Sequence, residues 1–366
     1  MSVPAVVTPG VAGAMSLSQY KSTAANAREA KLVSEGDINF VGKDSNGKAA
    51  TTGWRDDAFP VEFKKGMKSG RVVELWYHSP SMNRDIPLLW LRPDPKKVDQ
   101  SKPMPTLYYL NGGDGGEGRA NWVYQTDILN FFSNKAVNVV IPMAGQFSYY
   151  TDWVNNNNSL GGKQKWETFL TKELPGPLEK KINGNGKRGI EGMSMSGTSS
   201  LTLAAHNPGF YNAVASFSGC ADTATPLGIA AVKATFTWGG RGGQDELMWG
   251  KPGNAIWRYN SALHQSHKLK NTRVYVSSAT GLMGQHDTMK NFDNPLGAGW
   301  VRAVGGGIEA ATNACTHDLK VKMDREGSSN KTHFEFRNSG VHSWPYWQDD
   351  MKKSWRTTFG PAFGLK

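Results

Sequence analysis

A serine between glycines, placed where a strand-like run meets a helix-like run, limits the folds open to this chain. The run KRGIEGM is typical of a buried strand, and TSSLTLAAH favours a helix. Between them the chain reads GMSMSG, beginning at Gly192. Small residues are needed where a backbone reverses sharply and passes close to its neighbours. The stretch therefore predicts either a serine nucleophile on a strained turn or an ordinary strand-to-helix connection.

Other strand-like runs alternate with helical segments along the chain. Strands are predicted in residues 71–80 and 85–93, and in the runs MPTLYYL, AVNVVIPMAG, FYNAVASFSG, NTRVYV and THFEFR. This alternation is typical of a mostly parallel sheet with helices on both faces. We expect one α/β domain over residues 54–366, with an irregular region near 223–270. Residues 16–53, polar and partly helical in character, are predicted to form an N-terminal appendage.

The composition favours a large folded core, because 38% of the residues are hydrophobic and 13 are tryptophan. The net charge of +11 would suit anionic polymers or anionic lipid head groups. No basic helix or basic stripe interleaved with aromatic residues concentrates that charge, which argues against a nucleic-acid-binding protein. No run of about 18 apolar residues, the length of a membrane-spanning helix, occurs in the sequence.

Two features bear on export from the cytoplasm. Residues 1–15 are small, apolar and uncharged, and their AGA resembles a signal cleavage site, although the basic segment of a signal peptide is missing. They are either the remnant of an export signal or a flexible tail. The only cysteines are Cys220 and Cys315, which form no CxxC pair and predict no zinc site. They are either one disulfide of an exported protein or two buried thiols.

If Ser194, the first serine of GMSMSG, is a nucleophile, the residues around it would supply an oxyanion hole. The N-terminus of the following helix favours negative charge, and the Met195 backbone N–H would be one donor. The glycine-rich loop LNGGDGG would supply the second donor at Gly113. In α/β-hydrolase folds the nucleophile occupies such a turn in the pattern G-x-S-x-G. Here the second glycine is displaced by one position and Ser196 takes its place.

A base and an acid are required beside the serine. His342 follows the last predicted strand, and the order serine, acid, histidine is that of the α/β hydrolases. Two acids remain open: Asp287 follows the strand NTRVYV, and Glu309 opens a predicted helix after the glycine-rich VGGG. Spacing alone does not separate them. The pair His264 and His267 has no further ligand cluster and is interpreted as a solvated polar segment.

The sequence resembles the antigen 85 family of mycolyltransferases, especially its corynebacterial members. The matching stretches appear in the family's order across about residues 59–355. They are SPSMNRDI at 79–86, AGQFSYYTDW at 144–153, KWETFLTKELP at 165–175, GMSMSG, MWG at Met248, NTRVYV at Asn271 and GVHSWPYW at 340–347. The displaced glycine of the serine turn is shared by the family. The resemblance therefore implies an α/β-hydrolase fold.

The same resemblance implies roles for individual residues. It implies Ser194 as nucleophile, His342 as base, and Glu309 rather than Asp287 as the acid. Trp344 matches a family tryptophan beside the site. The family's loop before the oxyanion donor commonly reads Asp-Gly-Leu-Arg, and its charged residues contact trehalose. Here the loop reads Asn111-Gly112-Gly113-Asp114, so trehalose recognition by this loop is expected to differ. Asn111, Asp114 and Trp344 are the candidate substrate-binding residues.

The resemblance also implies a function. We expect a secreted cell-envelope enzyme that moves a mycolyl group from trehalose monomycolate, through an acyl-enzyme, to a hydroxyl of trehalose monomycolate, arabinogalactan or protein. It would need no cofactor or metal and would contact the mycolate outer membrane or cell wall peripherally. A secreted carboxylesterase with the same triad stays open, as does an adhesion or structural protein that keeps the fold. A disulfide between Cys220 and Cys315 is predicted to tie the Glu309 helix near the site.

Overall fold

A nine-stranded mixed sheet forms the centre of the computed structural model, which describes residues 15–55, 60–288 and 295–365. The strand order is β1-β2-β3-β5-β4-β6-β7-β8-β9. Strands β1, β2 and β3 pair antiparallel, as do β3 and β5, and the remaining pairs are parallel. The strands are β1 Lys31–Glu35, β2 Val72–Ser79, β3 Arg84–Leu91, β4 Met104–Tyr109, β5 Asn138–Pro142, β6 Gly184–Met193, β7 Ala213–Phe217, β8 Arg273–Ala279 and β9 Thr332–Arg337.

Both faces of this sheet are covered. Every residue of β4, β5 and β7 is buried, which explains why these strands are mainly apolar and do not alternate with exposed polar residues. Successive side chains of a strand point to opposite faces. Accordingly Tyr108 and Val140 lie in one apolar cluster, and Leu107 and Val139 lie in the other. The predicted mostly parallel α/β fold is confirmed.

The helices pack on these two faces and at the strand ends. In the described residues they are α1 Leu17–Ser22, α2 Val61–Lys68, α3 Trp122–Gln125, α4 Ile128–Phe131, α5 Trp166–Thr168, α6 Pro175–Lys181, α7 Met195–His206, α8 Pro226–Trp238, α9 Asp245–Trp249, α10 Ala255–Tyr259, α11 Ala262–Gln265, α12 Pro295–Arg325, α13 Trp344–Ser354 and α14 Gly360–Phe363. None of the helices described is long and apolar enough to cross a membrane.

The region 223–270 is not irregular as predicted, because it contains the four helices α8 to α11. Helix α8 begins where the Thr225 side chain accepts a hydrogen bond from the Gly228 N–H and where Pro226 occupies the first turn. A threonine cap followed by proline is a helix-start signal. Its glycine and β-branched residues lower the helix propensity of this stretch, and packing against the domain compensates for that.

The segment 16–53 shares the sheet and the core of the main domain. Its helical character is limited to α1, and β1 pairs antiparallel with β2. Tyr20 is buried, and its hydroxyl donates a hydrogen bond to the Asp152 carbonyl at 2.6 Å. The predicted export-signal remnant, residues 1–15, lies outside the described residues except for Met15.

Candidate active site

Ser194 lies on a strained turn between β6 and α7. Its backbone has φ 57° and ψ −124°, a conformation that non-glycine residues rarely adopt and that costs roughly 1–3 kcal/mol. The Ser194 N–H donates to the Phe217 carbonyl at 2.8 Å, which holds the turn against the end of β7. This strand–turn–helix geometry is that of a nucleophile elbow.

Ser196 does more in this turn than replace a small residue. A Cβ added to Gly192 would come 2.1 Å from the Ser196 carbonyl oxygen, so only glycine fits there. The Ser196 hydroxyl accepts a hydrogen bond from the Met193 N–H at 2.9 Å and lies 3.2 Å from the Leu110 carbonyl. The serine at the displaced-glycine position therefore ties the turn to the end of β4.

The structure brings three of the predicted residues together. His342 Nε2 lies 2.8 Å from Ser194 Oγ, and His342 Nδ1 lies 2.9 Å from Glu309 Oε2. Glu309 is fully buried. Its other oxygen, Oε1, accepts hydrogen bonds from the Ala279 N–H at 2.7 Å and the Ser218 hydroxyl at 2.9 Å. The carboxylate is thus bonded through both oxygens, with one of them directed to the imidazole.

Asp287, the second candidate acid, is used elsewhere. Its Oδ2 accepts hydrogen bonds from the Gly284 N–H and the Tyr346 hydroxyl, both at 2.7 Å. Its carbonyl accepts from the Arg302 guanidinium at 3.0 Å. Glu309, and not Asp287, is the carboxylate placed against His342.

Helix α12 carries Glu309 in its interior, so the prediction that Glu309 opens a helix was wrong. The 31-residue helix runs unbroken through the glycine-rich stretch. The His342 N–H donates to the Gly305 carbonyl at 3.1 Å. A Cβ on Gly306 would come 2.8 Å from the Gly281 carbonyl oxygen. Gly306 therefore allows close approach of α12 to the loop after β8, and the Gly305 carbonyl bonds the helix to the histidine loop.

Two further side chains support the triad geometry. Trp347 lies edge-on to the His342 ring, with ring centroids 4.9 Å apart, and its indole N–H donates to Ser218 Oγ at 3.1 Å. Ser218 in turn donates to Glu309. Sequence reasoning missed Ser218, although its place directly after a parallel strand, at the same sheet edge as Ser194, was an available signal.

The two oxyanion candidates lie on segments that flank the serine. Met195 is the first residue of α7. A Cβ built on Gly112 would lie 3.8 Å from Ser194 Cβ, so the glycine loop after β4 passes beside Ser194. The next residue, Gly113, accepts a hydrogen bond from the Phe147 N–H at 2.8 Å through its carbonyl. That bond fixes the loop in which the Gly113 N–H lies.

Asn111 does not contact the cavity at Ser194, contrary to the expectation that it binds substrate. It is fully buried; its amide donates to the Pro142 carbonyl at 2.9 Å and its Oδ1 accepts from the Trp122 N–H at 3.2 Å. Asp114 likewise holds its own loop, since its Oδ1 accepts from the Gly116 N–H at 2.9 Å. Burial raises the pKa of Asp114, while backbone N–H donors in the loop oppose the rise.

Trp344 packs behind the site. Its ring makes edge-to-face contacts with Trp122 and Trp347, at centroid distances of 5.4 and 5.2 Å. Trp347 is the ring that touches His342. Trp344 therefore lies one aromatic layer away from the imidazole and, among the described residues, is not part of the cavity lining.

A largely apolar cavity of about 220 Å³, here called the acyl cavity, opens at Ser194 and His342. Helices α8 and α12 form its walls with small and apolar side chains. The wall residues are Leu227, Ala230, Ala231, Ala234, Thr235 and Trp238 on α8, and Gly307, Ile308, Ala311 and Thr312 on α12. The site thus combines a serine–histidine pair with room for an extended apolar group.

A disulfide joins Cys220 to Cys315. Cys220 follows β7 and lines the acyl cavity, and Cys315 lies on α12. The bond attaches the helix that carries Glu309 to the segment that carries Ser218. Within the described residues, no group of three or more His, Cys, Asp or Glu side chains could hold a metal ion.

Known proteins share this arrangement of sequence and fold. Residues 79–358 match the family described as putative esterase. The diacylglycerol acyltransferase/mycolyltransferase Ag85A of Mycobacterium leprae is 30% identical over 308 residues, which cover 81% of this chain and 86% of the relative. Ag85A of Mycobacterium tuberculosis is 31% identical over 291 residues, covering 76% and 78%. The crystal structure of Mycobacterium tuberculosis MPT51 (FbpC1) matches with a TM-score of 0.61 and 25% identity, over 78% of this chain and 96% of that one. This chain belongs to the antigen 85 family of mycolyltransferases.

Proposed function

We propose that this protein is a serine acyltransferase that moves a mycolyl group from trehalose monomycolate to an acceptor hydroxyl. The observation that carries the proposal is the 2.8 Å contact between His342 Nε2 and Ser194 Oγ at the mouth of the acyl cavity. The relatives, whose names specify diacylglycerol acyltransferase and mycolyltransferase activity, support the choice of a mycolyl group.

Acylation begins when His342 Nε2 accepts the Ser194 hydroxyl proton as Oγ attacks the ester carbonyl. A tetrahedral intermediate forms, and its collapse breaks the bond to the sugar oxygen. The imidazolium returns the proton to that oxygen, and the sugar leaves. Glu309 holds Nδ1 in orientation and stabilises the imidazolium charge, for which its buried position at 2.9 Å is suited.

The negative charge of the intermediate would be held by the N–H groups of Met195 and Gly113. Each donor of this kind is worth about 3 kcal/mol of barrier in studied oxyanion holes. The position of Met195 at the first turn of α7 adds the field of the helix N-terminus. Two observations support this assignment: Met195 directly follows Ser194, and a Cβ built on Gly112, next to Gly113, would lie 3.8 Å from Ser194 Cβ.

The acyl chain would occupy the acyl cavity between α8 and α12. Each buried methylene contributes about 0.8 kcal/mol, so an apolar cavity with four alanines and one glycine in its lining favours a long chain over a short one. In the second half-reaction an acceptor hydroxyl gives its proton to His342 Nε2 as its oxygen attacks the acyl-enzyme carbonyl. Collapse of this second tetrahedral intermediate breaks the bond to Ser194 Oγ, which takes the proton back from the imidazolium. We propose trehalose monomycolate, arabinogalactan or a protein hydroxyl as the acceptor, and a secreted protein acting at the cell envelope.

A carboxylesterase is the second candidate, and the match to the putative esterase family favours it. The same serine, histidine and acid would serve it, and only the second step would differ, because water would attack the acyl-enzyme. The two activities are therefore separated by the acceptor and not by the triad.

Intact-mass analysis during incubation with a short-chain trehalose ester tests the proposal. We expect an acyl adduct on the wild type and none on Ser194→Ala, with faster discharge when trehalose is added. Discharge by water alone, unaffected by any offered hydroxyl, would favour the esterase. Full turnover by Ser194→Ala would overturn the site, and absence of both turnover and adduct in the wild type would favour an adhesion or structural role.

A further inference from the structure

A second cavity, lined mainly by polar groups, lies beside residues 145–146. Its volume is about 160 Å³, roughly ten times what one water molecule needs. Asp44, Arg84, Glu117 and Gln146 belong to its lining, and among the described lining residues Ser194 and His342 do not. We call it the polar cavity. It is chemically unlike the acyl cavity and is a separate site.

Arg84 brings an incompletely bonded charge to the polar cavity. The residue is 8% exposed, and its Nη1 donates to the Leu160 carbonyl at 3.3 Å. Its Nε has no hydrogen-bond partner in the part of the chain that the structure describes. The guanidinium lies 5.6 Å from the Trp166 ring centroid, which limits its movement. A buried donor left without a partner costs about 1–3 kcal/mol, so a bound acceptor atom here would be stabilised.

Two carboxylates face the same space. Glu117 Oε1 accepts hydrogen bonds from the N–H groups of Gly145 and Gln146 at 3.1 and 3.2 Å, so this carboxylate is fixed at the edge of the polar cavity. Burial raises the pKa of Glu117, and the charge of Arg84 opposes that rise. Asp44 is the second carboxylate of the lining. The lining thus has charged donors and charged acceptors, with no excess of positive charge.

With one guanidinium and two carboxylates in its lining, the polar cavity favours a neutral ligand that both donates and accepts hydrogen bonds. An anion would meet the carboxylates of Asp44 and Glu117, and a cation would meet the guanidinium of Arg84. A hydroxyl group donates to carboxylates and accepts from guanidinium N–H groups. A ring that carries several hydroxyls, such as a sugar, satisfies the whole lining at once.

The polar cavity is connected to the triad side by two contacts of one segment. The Gln146 carboxamide accepts a hydrogen bond from the Arg241 guanidinium, three residues beyond the end of α8. The adjacent Phe147 N–H donates to the Gly113 carbonyl at 2.8 Å. A ligand in the polar cavity would therefore contact a segment that is bonded to the proposed oxyanion loop.

One wall of the polar cavity comes from the N-terminal segment, outside the 79–358 match to the esterase family. The Ser45 N–H donates to the Gly161 carbonyl at 3.0 Å, and the Ser45 hydroxyl donates to the Met82 carbonyl at 2.6 Å. Asp44 Oδ1 accepts from the N–H groups of Asn46 and Lys48 at 2.9 Å. The wall is a hydrogen-bonded loop, so the polar cavity is preformed.

We propose that the polar cavity binds a neutral saccharide of the substrate, with Arg84, Glu117 and Asp44 bonding its hydroxyls. The inference rests on the proposed function and adds a location for sugar recognition. It also accounts for Asn111 and Asp114, which occupy the positions of sugar-contacting residues in the resembling family. Here Asn111 is bonded to Pro142 and Trp122, and Asp114 is bonded to Gly116.

Direct binding tests this inference without requiring turnover. Trehalose is titrated into Ser194→Ala protein by calorimetry, and the same titration is made in Ser194→Ala with Arg84→Lys or with Glu117→Gln. Glutamine keeps an oxygen for the N–H groups of Gly145 and Gln146, so the loop is retained. We expect at least a tenfold rise in Kd for each double variant. The control is Lys320→Gln, a substitution of an exposed residue on α12, which should leave Kd unchanged. The thermal stability of every variant is measured in the same way.

Two further ligands test the source and the charge of the molecule that the polar cavity binds. An arabinofuranosyl oligosaccharide is titrated in place of trehalose, which distinguishes a wall polysaccharide from the free disaccharide. If either saccharide binds more tightly than the other and its binding is lost in the variants, the proposal is supported. Stronger binding of inorganic phosphate than of either saccharide would overturn the neutral-ligand inference. Equal saccharide affinity in all variants, or no saccharide binding to the Ser194→Ala protein, would overturn the site.

The wild-type kinetics keep this inference separate from the proposed function. Arg84→Lys and Glu117→Gln in an otherwise wild-type chain should raise KM for the sugar acceptor about tenfold, and this loss should exceed any change in the hydrolysis of a sugar-free short ester. If no acyl-enzyme forms while the saccharide still binds at the polar cavity, the proposed function fails and this inference stands. If acyl transfer occurs and the variants lose no sugar affinity, the proposed function stands and the inference about the polar cavity fails.

Discussion

At the scale of single residues, the choice between two carboxylates shows what spacing leaves undecided. Asp287 and Glu309 both follow β8 in the chain, and both lie near its carboxyl end. The structure directs Glu309 to His342 and engages Asp287 with Tyr346. Burial and partners, which are properties of packing, separate the two acids. The resemblance to a known family favoured Glu309, whereas periodicity and spacing alone had left the acid open.

A matched pair of amide substitutions tests the assignment of the acid. Glu309→Gln should lower kcat by about 10⁴-fold, because an amide cannot stabilise the imidazolium and favours the wrong tautomer of His342. Asp287→Asn keeps an acceptor for the Gly284 N–H and should leave kcat close to that of the wild type. Steady-state hydrolysis of a short ester measures both variants. A larger loss in Asp287→Asn than in Glu309→Gln would contradict the assignment.

A buried carboxyl away from the triad makes stability depend on pH. Burial, with a smaller contribution from the Glu167 charge, raises the pKa of Asp152 to about 6. The unfolded value is about 3.9, so the folded state binds more protons between about pH 4 and pH 6. The contribution of this group to stability therefore falls as pH rises through that window, and the penalty is complete above about pH 6.

Asp152→Asn should remove this penalty. The asparagine can still accept from the Thr168 N–H, which lies 3.1 Å from Asp152 Oδ1, and its amide can donate to the Thr168 hydroxyl. We expect a gain in the free energy of unfolding of about 1–3 kcal/mol at pH 7 and little gain at pH 4. Urea unfolding of both proteins at the two pH values measures it. The same difference at both pH values would show that Asp152 is not the titrating group.

At the scale of elements, the strands were predictable and parts of the helices were not. Buried strands read as apolar runs because both faces of the sheet are covered, and that signal is local. Helix α12 was predicted to begin after its glycines because glycine lowers helix propensity by about 1 kcal/mol. The close contact of Gly306 with Gly281 requires glycine within a continuous helix. Such a contact is visible only in three dimensions.

If the acyl cavity holds the acyl chain as proposed, the opposing faces of α8 and α12 should limit the length of chain that fits. Ala234→Phe would place a phenyl group in the acyl cavity of about 220 Å³, and activity on long-chain esters should fall at least tenfold. Hydrolysis of an acetyl ester should be unchanged because that acyl group ends near Ser194. Thr237→Phe on the same helix is the control, since Thr237 is exposed and, in the described lining, faces away from the cavity. Equal losses on short and long esters would contradict this role.

At the scale of the whole molecule, one covalent bond connects segments that are distant in sequence and close to the triad. The disulfide spans 95 residues and attaches α12, with Glu309, to the segment after β7, with Ser218. In the chain-entropy model a loop of this length contributes about 4–5 kcal/mol, and measured values are typically 2–4 kcal/mol. Such bonds persist in oxidising compartments, so the disulfide supports the proposed secretion and adds rigidity beside the site.

Removal of the bond should therefore reduce stability and activity together. Replacing both cysteines, Cys220→Ser with Cys315→Ser, avoids a lone thiol and should lower the free energy of unfolding by about 2–4 kcal/mol. Activity should fall as well, because α12, with Glu309, is no longer covalently attached to the segment that carries Ser218. Urea unfolding with and without dithiothreitol measures the effect, and the double variant, which has no bond to reduce, is the control. If dithiothreitol destabilises the wild type and leaves the double variant unchanged, the effect is due to this disulfide. The opposite result is that dithiothreitol changes neither protein and that two thiols are titrated in denatured wild type without reductant. In that case the cysteines are free and α12 is held by packing alone.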